Sequence, residues 1–192
     1  MKKVLTILFA ALMMTAVAGC NKEKDKENKN DSQPLVLTDN TLIYEGVSYE
    51  MIFNAYYNNP DLTLVTVQSK DTLEDGTPKI SLDGLHIRPE NWNKTVDLAS
   101  PAEGEGWGTF FFNGTVLNCG GYCYKTEGQL DCRGTIDEVE YTDKSIFKSG
   151  TFSLTGNNDG TPITIILDGV LQTDKRIQMK LVSDEYSTEY EG

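Results

Sequence analysis

The sequence has little of what most catalytic sites need. Its single histidine, His86, stands between Leu85 and Ile87, a setting typical of a packed or surface strand residue. Ser-His-Asp chemistry would have to pass through it, yet no G-x-S-x-G elbow is present. The chain also lacks an HExxH motif, a P-loop, a dinucleotide fingerprint and an EF-hand loop. We therefore predict a non-enzyme that uses no cofactor and no metal.

Positive charge is also scarce. Residues 34–192 contain 11 of the 17 Lys and Arg residues but 25 of the 29 Asp and Glu residues, which gives this part a net charge of −14. Such a field repels nucleic acids and anionic head groups, because phosphate binding relies on Lys and Arg. It is compatible with neutral glycans, basic proteins or cations as partners.

The chain has no apolar run of the roughly 20 residues that span a bilayer. Residues 1–19 instead have the layout of a signal peptide, with Lys2 and Lys3 before a short apolar run and small residues at its end. Val17-Ala18-Gly19-Cys20 resembles the lipobox of bacterial lipoproteins. The resemblance implies removal of residues 1–19 and acylation of Cys20 (diacylglyceryl and an amide-linked chain such as palmitate), whereas an ordinary signal peptide is the alternative.

Residues 20–33 follow as a lipidated cysteine and a charged segment without apolar side chains, which predicts a disordered tether. Asn21, in place of the Asp that favours inner-membrane retention in enteric lipoproteins, favours the outer membrane. The charges also resemble the surface-export signals of Bacteroidetes lipoproteins, although those are usually acid-rich, and a plain linker explains the segment equally well. The domain is therefore expected on the periplasmic or the outer face of that membrane.

Helical periodicity of ten or more residues is absent beyond the tether. Short β-branched and aromatic stretches broken by Gly, Asn and Asp predict an all-β fold, an antiparallel β-sandwich or partly closed β-barrel in a single domain over 34–183. Residues 184–192 form a frayed acidic tail. Asp159-Gly160 predicts a hairpin that opposes Leu154 with Ile165 and Phe152 with Leu167.

Three cysteines remain once Cys20 is assigned to lipid. A two-residue turn at Glu127-Gly128 would place Cys123 directly opposite Cys132, within disulfide reach. This register predicts a Cys123–Cys132 disulfide with Cys119 free. Zinc held by the three thiolates and His86, or three reduced thiols, are the alternatives.

Aromatic side chains on loops are the remaining functional candidates. Trp92 and Trp107 stand in or beside loop-like stretches, and Tyr56-Tyr57 ends a strand next to Asn58. Rigid rings rimmed by Asn and Asp suit the recognition of sugars or proteins. The competing interpretation places Trp107 and one tyrosine in the core.

The lipobox, tether and acidic all-β domain together resemble the small all-β lipoproteins of Bacteroidetes. The resemblance implies a membrane-anchored lipoprotein of the cell envelope and carries no catalytic motif with it. The leading hypothesis is a non-catalytic binding module for a glycan or a protein partner. A structural or adhesin-like subunit of an envelope assembly is the first alternative, and a glycan hydrolase is the second.

Overall fold

The computed structural model describes residues 36–58, 63–87, 91–156 and 163–183, without the side chains of 54–58, 63, 64 and 87. The chain divides into two compact units, Met1–Gln33 and Pro34–Gly192, and the described residues all belong to the second. The described residues do not include the predicted signal peptide, Cys20, the tether or the tail at 184–192.

The described part of the chain is built from strands. Within it, no helix combines the length and the apolar character needed to cross a membrane. The twelve strands are β1 (Thr41–Tyr44), β2 (Val47–Asn58), β3 (Thr63–Ser69), β4 (Ile80–Ile87), β5 (Lys94–Asp97), β6 (Gly106–Gly114), β7 (Cys119–Thr126), β8 (Gln129–Ile136), β9 (Val139–Thr142), β10 (Phe147–Thr155), β11 (Ile163–Leu171) and β12 (Arg176–Ser183).

The strands form one antiparallel sheet in the order β5-β10-β11-β12-β1-β2-β3-β4-β6-β7-β8-β9. The all-β prediction is confirmed, and the sheet is sandwich-like rather than closed into a barrel, because β5 and β9 remain as edges. Most neighbours in the sheet are also neighbours in sequence. The exceptions are β5, which pairs with β10, β12, which pairs with β1, and β4, which pairs with β6.

Two-residue turns set the register of three hairpins. Glu45-Gly46, Glu127-Gly128 and Asp137-Glu138 each have two consecutive residues with positive φ. Paired positive φ values define the type I′ turn, whose twist matches that of the flanking strands. The turn predicted at Glu127-Gly128 is therefore present, although it lacks the Asn or Asp that usually leads such turns.

The β10–β11 hairpin has the predicted register. Leu154 lies opposite Ile165 and Phe152 lies opposite Leu167, and all four side chains are buried. The Asp159-Gly160 turn itself falls outside the described residues. Alternation places these four apolar residues on one face, where they contribute to the core.

The core forms where the buried faces of the sheet meet. Phe147 of β10 packs against Trp107 and Phe110 of β6, with ring centroids 5.6 Å away in both cases. The indole Nε1 of Trp107 donates a hydrogen bond to the Leu98 carbonyl oxygen at 2.9 Å, which satisfies its buried polar atom. Strands far apart in sheet order are thus held together by an aromatic cluster, and the opposite face of β6 is left to solvent.

Candidate functional site

Trp107 belongs to the core rather than to a binding surface. It is 1 % exposed and stacks 4.8 Å from Phe110. Its interpretation as a ligand contact is wrong, and the competing interpretation as a core residue is confirmed. The physical reason is that Trp107 lies near the start of β6 and its ring faces the aromatic cluster, although the acidic loop 102–105 closely precedes it in sequence.

The other predicted aromatic candidates do not come together in a described site. Trp92 is half-buried and packs against the hydrophobic core, beside the fully buried Asn91. Tyr56 and Tyr57 lie in β2, opposite Val65 and Leu64, and their side chains are outside the described set. A binding role for these three residues stays a prediction.

The cysteines take the predicted arrangement. Cys123 and Cys132 face each other across β7 and β8 with Cα atoms 4.0 Å apart, and a disulfide joins them. Cys119 is free and buried, and burial raises the pKa of its thiol to about 12, with a smaller contribution from the charge of Asp137. The disulfide removes two of the ligands that the zinc alternative requires. Among the described residues, no three His, Cys, Asp or Glu side chains are placed to hold a metal.

A shallow groove of about 300 Å³ lies on the solvent face of β6, β7, β8 and β9. We call it the glycine groove, because Gly120, which has no side chain, forms its floor. The residues that line it are Phe111, Gly120, Gly121, Tyr122, Arg133, Gly134, Thr135, Glu140, Tyr141 and Thr142. Its volume lies at the lower end of the range of about 300–1,000 Å³ that is typical of ligand pockets.

Strand register arranges the groove as two rows across the sheet. The first row runs Thr109, Tyr122, Arg133, Thr142 on β6 to β9. The second runs Phe111, Gly120, Thr135, Glu140 on the same four strands. Side chains that are directly opposite lie about 5 Å apart at Cβ, so the two rows bring a ring, a guanidinium, hydroxyls and a carboxylate into one depression.

Gly120 and Phe111 shape the apolar wall. A Cβ atom at Gly120 would lie 2.3 Å from Cδ1 of Phe111, so glycine at this position lets the phenylalanine ring lean across β7. Phe111 is nevertheless 50 % exposed, and it is the only aromatic residue among the exposed large apolar side chains of the described residues. The wall therefore offers a flat ring surface to a ligand at little cost in conformational entropy.

The polar rim is suited to hydrogen bonding. The Tyr122 hydroxyl donates a hydrogen bond to Asp131 Oδ1 at 3.3 Å. The Tyr122 ring lies beside the ring of Tyr124, with ring centroids 6.0 Å apart. The Arg133 side chain is exposed, and no ion pair or hydrogen bond engages it within the described part of the chain. Glu140 is the one carboxylate among the described residues that line the groove.

The sequence contains one signal for this site, and it lies in a strand rather than in a loop. Phe110, Phe111 and Phe112 are consecutive in β6, and strand alternation sends the middle ring to the opposite face from its neighbours. Phe110 and Phe112 are each 1 % exposed, which leaves Phe111 on the solvent side. The partnership with Gly120 depends on strand pairing and has no local signal.

No protein-family model matches the sequence, and neither a curated protein nor a solved structure matches the chain.

Proposed function

We propose that this protein is a lipid-anchored envelope lipoprotein whose all-β domain binds a glycan without catalysis, in the glycine groove. The observation that carries the binding proposal is the exposed Phe111 ring beside the Gly120 floor, rimmed by Tyr122, Arg133 and Glu140. Apolar ring faces stack on sugar rings, while a few convergent polar groups fix orientation.

The size of the groove favours a glycan over a protein partner. Stable protein interfaces bury about 1,200–2,000 Å² in total and are centred on contiguous apolar cores. The glycine groove is a concave site of about 300 Å³ with a single exposed ring. It accommodates a compact ligand through one stacking surface and several hydrogen bonds.

The stacking surface has a direct test. Phe111→Ala should weaken glycan binding about 10- to 100-fold, because it removes an apolar contact worth roughly 1.5–3 kcal/mol. A glycan array with the wild-type domain identifies the ligand, and titration calorimetry compares the variants. Ile166→Ala, which removes an exposed apolar side chain from β11, is the matched control and should bind normally.

Two results would contradict the glycan proposal. One is the absence of any bound glycan on the array, and the other is unchanged affinity after Phe111→Ala. Trp92→Ala belongs in the same series, because the sequence also predicts Trp92 as a ligand-binding residue. A loss with Trp92→Ala but not with Phe111→Ala would move the site to the loop around Trp92.

The anchor proposal rests on the lipobox Val17-Ala18-Gly19-Cys20. Two or more acyl chains hold a protein stably on a bilayer, whereas a single chain gives marginal binding. Cys20→Ala should therefore move the protein from the membrane fraction to the soluble exported fraction. Cys119→Ala, the control for loss of a cysteine, should leave the protein on the membrane. An unmodified Cys20 in the mass spectrum of the wild-type amino-terminal peptide would refute the anchor.

A further inference from the structure

We propose that the glycan bound in the glycine groove carries one carboxylate, as an isolated uronic acid in an otherwise neutral chain, and that Arg133 binds this carboxylate. The inference rests on the proposed function of the groove as a glycan site. It adds the chemical class of the ligand and the residue that selects it.

Arg133 differs from most other described cations in having no carboxylate partner. Seven Lys and Arg side chains in the described ranges form ion pairs with Asp or Glu within 4.0 Å. Arg133 instead lies between Tyr122 and Thr142 in its row, opposite neutral side chains on both neighbouring strands. Although the domain has many more acids than bases, the Arg133 guanidinium lines the groove without a carboxylate partner within 4.0 Å among the described residues.

The guanidinium is suited to a planar anion. It presents N–H donors in a fixed fork that matches both oxygens of a carboxylate, and such charge-assisted pairs are about twice as strong as neutral hydrogen bonds. The Phe111 ring and the Gly120 floor lie in the adjacent row. A pyranose ring stacked on Phe111 could therefore direct an attached carboxylate toward Arg133 while its hydroxyls meet Tyr122 and Thr135.

The surrounding charge limits the ligand to a single acidic residue. Glu140 lines the same groove, and residues 34–192 carry a net charge of −14. A polyuronate would bring further negative charges against this field, which disfavours its approach. A single carboxylate paired with Arg133 adds one negative charge to the groove, whereas a polyuronate would add several.

A second groove on the sheet shows the contrasting arrangement. It is formed in part by Ser149, Thr151, Asp168 and Arg176. There the guanidinium of Arg176 donates to both carboxylate oxygens of Asp168, at 3.0 and 2.8 Å, and these hydrogen bonds hold the pKa of Asp168 below its usual range. Arg176 already has a carboxylate partner, so that groove offers no free guanidinium.

The test compares matched ligands and matched variants. A glycan array containing neutral and uronate-bearing oligosaccharides is first probed with the wild-type domain. Each bound uronate oligosaccharide is then compared by calorimetry with its carboxyl-reduced form, in which the carboxylate is a hydroxymethyl group. Arg133→Gln should weaken uronate binding about 10- to 100-fold, as expected for a hydrogen-bonded charge pair. Lys125→Gln makes the same charge change outside the groove and should have no effect.

The outcomes separate this inference from the proposed function. Binding of uronate glycans that is lost on carboxyl reduction and on Arg133→Gln supports both. Binding of neutral glycans only, or affinity unchanged by carboxyl reduction, overturns the carboxylate inference and leaves the glycan site standing if Phe111→Ala still weakens binding. The absence of any glycan ligand overturns both. Arg133→Lys should recover part of the affinity, because it restores the charge without the planar fork.

Discussion

Gly108→Ala should lower the free energy of unfolding by about 2–5 kcal/mol. Gly108 has a φ of +73°, and a Cβ added there would lie 1.8 Å from the carbonyl oxygen of His86. The left-handed conformation costs a non-glycine residue about 1–2 kcal/mol, and forcing extra volume into a packed region costs about 1–3 kcal/mol. Because the obstructing atom belongs to the backbone of β4, it cannot rotate away as a flexible side chain could.

Gly46→Ala is the matched control for this prediction. Gly46 has a φ of +78°, but no atom lies within 4 Å of the Cβ that alanine would add. It should pay only the conformational cost, about 1–2 kcal/mol. Denaturant unfolding followed by the fluorescence of the buried Trp107 measures both variants. Equal losses for the two would show that the His86 carbonyl oxygen of β4 does not lie within contact distance of a Cβ at position 108.

The features predicted from the sequence are those in which nearby residues determine the geometry. In β12, Ile177, Met179 and Leu181 alternate with polar residues, and all three are buried. The Cys123–Cys132 pairing follows from counting outward from a two-residue turn, because such a turn fixes the register of both strands. In each case the residues close in sequence are sufficient to predict the geometry.

Pairing between strands distant in sequence, and the side-chain orientations that depend on it, cannot be predicted from local sequence. β5 pairs with β10 across more than fifty residues of sequence, and the long strand β2 shifts register between Phe53 and Ala55. A bulge of this kind changes which residues face solvent without any reliable local signature. Trp107 stands beside a loop-like stretch in the sequence, yet packing against Phe110 and Phe147 decides its position.

The candidate site illustrates the same division. The exposure of Phe111 follows from alternation in β6, which the sequence contains. The groove additionally needs Gly120 opposite Phe111, and Arg133 opposite Tyr122. The second pairing is implied by the predicted β7–β8 hairpin, whereas the first depends on the loop between β6 and β7 and is visible only in the assembled sheet.

Reduction of the Cys123–Cys132 disulfide should lower the free energy of unfolding by about 2–3 kcal/mol, as expected from the chain entropy of a short closed loop. The two cysteines are nine residues apart, and both are buried. Their sequence neighbours Tyr122 and Arg133 face the glycine groove on the other side of the sheet. Loosening β7 against β8 should therefore weaken glycan binding together with stability, which makes the disulfide a support for the site.

Cys119 provides the control that identifies the pair. With a pKa raised to about 12 by burial, its thiol stays protonated at neutral pH and is a poor nucleophile for disulfide exchange. Cys119→Ala should leave the stability loss on reduction unchanged, whereas a Cys123→Ala/Cys132→Ala double variant should be indifferent to reductant. Alkylation of the native, unreduced protein should spare Cys119 until the domain unfolds. If Cys119→Ala abolished the sensitivity to reductant, Cys119 would be a disulfide partner, and the register of β7 against β8 would be wrong.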